Sequence, residues 1–141
     1  MSISKHISNK EGVYSRTAIR LDIENTPTKE HLTNMVELAE NIFEPLRAYV
    51  GGPIKINSFY RSPKLNKAIG GSTKSAHLKG CAVDVVCSGH KAYEIVKLAM
   101  ELGFTGIGVK QNGVHGKRFI HIDTMPRKSV TSPRPWIWSY K

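Results

Sequence analysis

The alternation of apolar and polar residues divides the chain into helical and extended segments. After Thr26, apolar residues recur every three or four positions, which is the period of an amphipathic helix. The apolar positions are Leu32, Met35, Val36, Ala39, Ile42, Phe43 and Leu46. Thr26 offers an N-cap hydroxyl and Pro27 fits a first turn, so we predict that the helix begins there. Pro45 is predicted to end or kink it, before the break at Gly51-Gly52-Pro53.

Four later segments carry patterns typical of β-strands. Ile54 to Arg61 alternates apolar and polar residues over its first half, and Cys81 to Cys87 is rich in valine. A glycine-broken strand is predicted from Phe104 to Val109, followed by a strand from Phe119 to Asp123. Asn112-Gly113 predicts the hairpin turn that joins these last two strands.

Two further helices complete the predicted order of elements. Leu65 to Ile69 forms a short helix, and Ser88 can cap a longer one that Gly103 closes. Residues 1–25 are polar and mixed, so irregular structure with a single helical turn is expected there. The order helix, strand, helix, strand, helix and hairpin predicts an α+β fold, with a small, mainly antiparallel sheet and helices packed on one side. We expect a single domain over residues 1–141.

The charge of the chain favours a polyanionic partner. Twenty-one Lys and Arg against 11 Asp and Glu give a formal net charge of +10. Nucleic acid, bacterial wall polymers and anionic lipid surfaces all fit this charge. The basic residues are scattered and form no helix-turn-helix, zinc-finger or RNA-binding signature, so no specific nucleic-acid partner is predicted.

The remaining composition excludes two other classes of protein. Apolar runs stay shorter than the ~20 residues that a membrane-spanning helix needs, so no membrane insertion is expected. The first ten residues lack the apolar core of a secretory signal. Cys81 and Cys87 have neither a zinc-knuckle spacing nor a disulfide framework, and we expect two small buried side chains.

The chemistry of the chain is concentrated in Ser75-x-His77-x-x-Gly80-x-Ala82-x-Asp84 and a later His121-x-Asp123. Two imidazoles and a carboxylate form the ligand set of a catalytic zinc site with one open position. Strand alternation puts Asp84 and Ala82 on one face, and His121 and Asp123 on one face of the last strand. We expect these groups to meet at one edge of the sheet. The residues alone leave open a structural His77 or a surface His121.

These residues resemble the pattern of the D-alanyl-D-alanine carboxypeptidase family of zinc peptidases, which includes phage endolysins. The similarity extends upstream over Ile56 to Gly71, and downstream over Gly103 to Gly108 and Phe119 to Thr124. The ending Arg134-Pro-Trp136 is similar to short, single-domain members. The resemblance covers roughly residues 28 to 138 and implies a hedgehog/D-Ala-D-Ala peptidase-like fold.

The resemblance implies that His77, Asp84 and His121 bind Zn²⁺, and that Arg61 lies near the substrate carbonyl or carboxylate. A guanidinium suits an oxyanion or a carboxylate, although a structural ion pair is the alternative for this residue. Ser75 either hydrogen-bonds substrate or shapes its loop. Tyr60, Trp136 and Trp138 are candidates for lining the cleft.

One position departs from the family pattern. Many members carry Glu or Asp three residues before the last histidine as general base, and here that position is Arg118, which cannot accept a proton. Asp123 is the nearest acidic candidate, and His115 in the preceding turn is a second one.

The predicted function is therefore zinc-dependent hydrolysis of an amide bond in peptidoglycan stem peptides or cross-links, by an endolysin-like peptidase. The alternatives are a D-alanyl-D-alanine carboxypeptidase and a non-catalytic zinc-stabilised wall-binding module. A nuclease is compatible with the charge but has no motif in its favour. We expect a monomer that is made in the cytoplasm and reaches the cell wall after release, by phage lysis or as a virion component.

Overall fold

The computed structural model describes residues 2–126 and 133–141 and shows an α+β protein. The strands are β1 (Ser2–Ser4), β2 (Ile7–Ser8), β3 (Lys55–Ser58), β4 (Ala82–Val86), β5 (Gly106–Lys110), β6 (Phe119–Asp123) and β7 (Trp136–Ser139). The α-helices are α1 (Asn9–Val13), α2 (Arg16–Arg20), α3 (Lys29–Leu38), α4 (Glu44–Val50), α5 (Pro63–Ala68) and α6 (Gly89–Glu101).

Five of these strands form the central sheet, in the order β3-β4-β6-β5-β7. All neighbours are antiparallel except β5 and β7, which are parallel. The predicted α+β class and mainly antiparallel sheet are confirmed. β7 was not predicted, because its short Trp-Ile-Trp-Ser run lies among prolines and has no clear alternation.

The hydrophobic core lies on one face of the sheet. Val83 and Val85 of β4 and Ile120 and Ile122 of β6 are buried there against α3, α4 and α6. Because side chains alternate along a strand, the residues between them point to the opposite face. The core packing of four aliphatic residues therefore fixes which side chains of β4 and β6 are available for chemistry.

The first long helix differs from its prediction at its start, and it runs past Pro45 to the predicted break at Gly51. Thr28 rather than Thr26 is its N-cap, because the Thr28 hydroxyl accepts the His31 N–H at 3.1 Å. Pro45 does not end the helix, which continues to Val50 as α4. A π-helical turn at Ala39–Phe43 separates α3 from α4. The hydrogen bonds of this turn span one more residue than those of an α-helix, and the turn lies just before Pro45. Proline disturbs α-helical hydrogen bonding, because its ring clashes with the preceding turn and it has no N–H.

The N-terminal segment forms short strands and helices over residues 2–20, which corrects the expectation of irregular structure with a single helical turn there. β1 and β2 pair antiparallel, and Ile3 and Ile7 are buried in the main core. Ser8 and Ser15 cap α1 and α2 with their hydroxyls. These elements are too short for a periodic signal, so only contacts with the rest of the molecule reveal them.

Smaller differences concern caps and turns. Ser88 occupies the N-cap of α6 but makes no side-chain cap hydrogen bond. The β5–β6 hairpin forms as predicted, although its connection runs over residues 111–118 and includes a 3-10 turn at His115–Lys117. Among the described residues, no helix is both long and apolar enough to cross a membrane.

Candidate metal centre

Three buried side chains converge on the face of the sheet opposite the core. His77 Nε2 lies 3.1 Å from Asp84 Oδ1, and His121 Nδ1 lies 3.0 Å from the same oxygen. The three candidate ligand atoms all lie within 4.8 Å of one another. The structure thus brings together the three ligands that the sequence predicted.

The local backbone explains why the motif needs its spacing. His77 lies in a 3-10 turn at Ala76–Lys79, which Gly80 ends with a φ of +72°. A Cβ at Gly80 would stand 2.5 Å from the carbonyl oxygen of His31, so the position requires glycine. β4 then begins at once, and Asp84 pairs directly with His121 across the β4–β6 ladder.

Each histidine ring is oriented by a hydrogen bond from its outer nitrogen. His77 Nδ1 donates to the Phe59 carbonyl at 2.6 Å, and His121 Nε2 donates to Asp123 Oδ2 at 2.9 Å. With those protons in place, the inner nitrogens carry lone pairs that point towards the Asp84 carboxylate. Three electron-pair donors facing one another form a site that fits a cation, and the N, O, N set suits zinc.

Burial and mutual contact shift the pKa values in this centre. Burial lowers the pKa of His77 below its ordinary value. For Asp84, burial alone would raise the pKa, but His77 and His121 outweigh it and hold the pKa well below the usual range. For His121, burial alone would lower the pKa, but its hydrogen bonds to Asp123 and Asp84 outweigh burial and raise the pKa. Asp84 is therefore ionised in the folded protein.

Asp123 is fully buried and saturated with hydrogen bonds. Arg134 donates to it from Nε at 2.9 Å and from Nη2 at 2.7 Å. The Met125 N–H at 3.3 Å and His121 Nε2 occupy the remaining positions. Although burial raises its pKa, the bonds from His121 and Arg134 outweigh that effect and hold the pKa at about 2. The structure thus gives Asp123 the geometry of a group that orients His121.

Arg61 is also held at the centre. Its Nη2 lies 3.5 Å from Asp84 Oδ2, and its Nε donates to Ser58 Oγ at 3.1 Å. Asn66 Oδ1 accepts from Nη1 at 3.4 Å. Gly71 packs closely against Asn66, since a Cβ at position 71 would stand 2.2 Å from Asn66 Oδ1. The guanidinium is therefore fixed beside the ligands with part of its surface open to the cavity.

A cavity of about 480 Å³ opens over the three ligands. Of the predicted substrate-binding residues, Ser75 and Trp136 line it, as do Trp138 and Tyr140. Trp138 lies with its ring centroid 5.0 Å from that of His121.

Two predicted candidates, Tyr60 and His115, lie elsewhere, as does Arg118. Tyr60 is 4% exposed, belongs to the main core and lies beside His31, so it does not line the cavity over the ligands. Arg118 donates to the Gly113 carbonyl in the hairpin, and His115 is exposed in the 3-10 turn. Neither of these two residues lines that cavity.

Two glycines of β5 that lie against residues of the centre were not identified from the sequence. Gly106 pairs with Asp123 and Gly108 with His121 across the β5–β6 ladder. A Cβ at Gly106 would stand 2.3 Å from both Asp123 carboxylate oxygens, and one at Gly108 would stand 2.7 Å from the Trp138 ring. The alternating Gly-x-Gly was the available signal. Arg134 carried no comparable local signal, since only the fold brings it to Asp123.

The position of the centre within the sheet corrects one expectation. It lies on the face of the interior strands β4 and β6 rather than at an edge. β3 and the β5–β7 pair flank these strands, and the C-terminal residues Trp138 and Tyr140 cover the centre.

A family model described as Peptidase M15 matches residues 5–123. No curated protein matches the chain. The matched range includes β2 to β6 and all three candidate ligands, while β1, Arg134 and β7 lie outside it.

Proposed function

Since this chain belongs to the peptidase M15 family, we propose that it is a zinc-dependent hydrolase that cleaves an amide bond in peptidoglycan stem peptides or cross-links. Family membership confirms the resemblance found in the sequence. The observation that carries the proposal is the buried centre of His77, Asp84 and His121, whose lone pairs converge on one point.

Bound zinc would activate water and polarise the scissile carbonyl. His77 Nε2, Asp84 Oδ1 and His121 Nδ1 are the atoms that would hold it. The Phe59 carbonyl and the Asp123 carboxylate keep both imidazoles in the tautomer that binds a metal.

The other cavity residues are assigned to the substrate. Arg61 is held beside Asp84 and can bind the substrate carbonyl oxygen or a nearby carboxylate. Ser75 and Trp136 line the cavity, where a hydroxyl and an indole suit the polar and apolar parts of a peptide.

The carboxylates that line the cavity are not free to take part in proton transfer. Among the described residues that line the cavity, the only carboxylates are Asp84 and Asp123, and both are committed to ring nitrogens and arginines. Burial, with a further contribution from Asp84, raises the pKa of Tyr140. Its hydroxyl therefore keeps its proton, and we assign it to donate a hydrogen bond to developing oxyanion charge or to the leaving nitrogen.

The net charge of +10 supports an anionic wall as the place of action. Such attraction is screened by salt, so retention on cell walls should weaken as ionic strength rises. The proposal includes a monomer that acts on the wall after release from the cytoplasm, as in phage lysis or virion entry.

Digestion of purified sacculi, with and without a chelator, tests the proposed function. We expect soluble muropeptides whose masses identify the cleaved amide, and no products after chelation or in the His77→Ala variant. Release of free alanine without soluble muropeptides would instead identify a D-alanyl-D-alanine carboxypeptidase.

A zinc-stabilised wall-binding module is the second candidate. Two observations favour this module. Both cavity carboxylates are hydrogen-bonded to other groups. Arg118 also stands at the position where many family members carry the base. Full zinc occupancy with wall binding and no released products in the same digestion would establish this candidate.

A further inference from the structure

We propose that the cleft continues beyond the metal centre into a second cavity, whose wall includes the N-terminal segment 14–17. This cavity binds the part of the peptide on one side of the scissile amide, and Arg16 binds a carboxylate of that part. The inference rests on the proposed peptidase function and specifies how the substrate is held.

The two cavities adjoin at the metal centre, where they share wall residues. The second has a volume of about 380 Å³ and shares Arg61, Asp84 and Phe119 with the first. A peptide that runs from one cavity to the other must pass over the ligand Asp84 and the guanidinium of Arg61. An amide bond at the metal therefore has room for substrate on both sides, as an endopeptidase requires.

The N-terminal wall is fixed to the loop that carries Arg61. Asn25 Nδ2 donates to the Val13 carbonyl at 2.8 Å and to the Tyr60 carbonyl at 3.1 Å. Its Oδ1 accepts the Ser62 N–H at 2.7 Å. Asn25 thus ties the residue before the wall to both neighbours of Arg61, so the wall is in place before substrate binds.

The chemistry of this wall favours an anionic, polar ligand. Arg16 is exposed, and its side chain makes no hydrogen bond or ion pair within residues 2–126 and 133–141. The carboxylate of Asp84 is already engaged by Arg61 and both imidazoles. Ser15, Thr17 and the half-exposed ring of Tyr14 complete the surface. A free guanidinium among hydroxyls and an aromatic ring fits a peptide that carries a carboxylate.

The first measurement compares the zinc-loaded parent on two muropeptides, a cross-linked dimer and a monomer with a terminal D-alanine. We expect kcat/KM to be at least about tenfold higher for an internal amide, because binding on both sides of that bond stabilises its transition state. Removal of the terminal residue alone would overturn the inference, since one side of the cleft would then be unused.

The second measurement compares Arg16→Gln with Arg20→Gln, which removes the same charge from the same helix outside the cavity. Substrates are the cross-linked peptide with free carboxylates and the same peptide with those groups amidated. We expect Arg16→Gln to raise KM about fivefold for the free acid, as for a partly exposed charge-assisted bond. The amidated peptide and Arg20→Gln should show no such change. Equal effects of the two variants, or of one variant on both substrates, would overturn the role of Arg16.

Tyr14→Ala gives a second test of the wall, because the ring is 52% exposed and its loss leaves the core intact. We expect a higher KM for the cross-linked peptide at unchanged kcat, and an unchanged KM would contradict the subsite. If the parent cleaves neither muropeptide, the proposed function itself fails, whereas cleavage with unaltered variants refutes only this inference.

Discussion

At the scale of single residues, the centre depends on which atoms of each side chain are already engaged in hydrogen bonds. His121 has two ring nitrogens, and Asp123 takes the proton of one so that the other can bind a metal. Asp123 is in turn bound twice by Arg134, which leaves the carboxylate without a free lone pair directed at substrate. Proximity in sequence suggested a base at Asp123, whereas its contacts indicate a positioning residue.

Asp123→Asn separates these two roles. As a positioning residue, Asp123 should affect zinc binding, and we expect the substitution to weaken zinc affinity about 10- to 100-fold. At saturating zinc, kcat should remain within about an order of magnitude of the parent, while loss of a general base would cost about 10²–10⁴-fold. Competition titration against a chromophoric chelator and assays at saturating zinc measure the two effects.

Asp22→Asn provides the matched control, since Asp22 is exposed and does not line the cavity over the ligands. Unchanged zinc affinity in Asp123→Asn, together with a kcat lowered 10²-fold or more, would restore Asp123 as the base.

At the scale of elements, the strands beside the centre create the space that its side chains fill. β5 places glycine opposite both Asp123 and His121, so the Asp123 carboxylate and the Trp138 ring can lie against its backbone. β7 pairs with the other edge of β5 and carries Trp138 over His121. The glycines of β5 thus leave space beside the centre, and β7 supplies an aromatic side chain that fills it.

Gly106→Ala tests this dependence on empty space. The added methyl would stand 2.3 Å from the Asp123 oxygens, which must then move away from Arg134 and His121. Overpacking of this kind costs about 1–3 kcal/mol of unfolding free energy. Zinc affinity should also fall about tenfold, because His121 loses its orienting contact.

Urea unfolding and zinc titration of Gly106→Ala measure these losses. Gly116→Ala is the control, because a Cβ there meets no atom of residues 2–126 and 133–141 within 4 Å. If both variants match the parent, β5 does not need glycine at position 106.

At the scale of the whole molecule, the N-terminal segment is joined to the helical layer through Glu44. Glu44 Oε2 accepts the Ser4 hydroxyl at 2.7 Å and the His6 N–H at 3.0 Å. His6 Nδ1 lies 2.5 Å from Oε1. These bonds connect the β1–β2 segment to α4, across 40 residues of sequence.

Glu44→Gln should reduce stability in a pH-dependent way. Burial alone would raise the pKa of Glu44, but the hydrogen bonds from His6 and Ser4 outweigh it and lower the pKa below 4.5. The ionised group therefore stabilises the folded state above pH ~4.5, and this contribution is lost as pH falls through the lower folded pKa.

Urea unfolding of the parent and of Glu44→Gln at neutral and acidic pH measures this effect. We expect a loss of about 1 kcal/mol at pH 7 that shrinks as the pH falls below ~4.5. Glu40→Gln, at an exposed position of the π-helical turn, should match the parent at every pH. A deficit in Glu44→Gln that stays constant down to pH 2 would contradict the ionic origin.

The sequence by itself determined the α+β class, the strand β6 and the three candidate ligands. Alternation needs only the local backbone and the choice of core face, so Ile120 and Ile122 fixed the side on which His121 must lie. Gly80 likewise followed from local chemistry, because a turn there needs a positive φ.

Only the tertiary structure decided what surrounds those ligands. Arg134 reaches Asp123 through the parallel pairing of β7 with β5, and Asn25 reaches both neighbours of Arg61 from far upstream. Such contacts join segments that no periodicity relates, since burial and hydrogen bonding depend on the complete fold. The sequence therefore determined which atoms can bind the metal, and the fold decided which groups orient them and where the cleft extends.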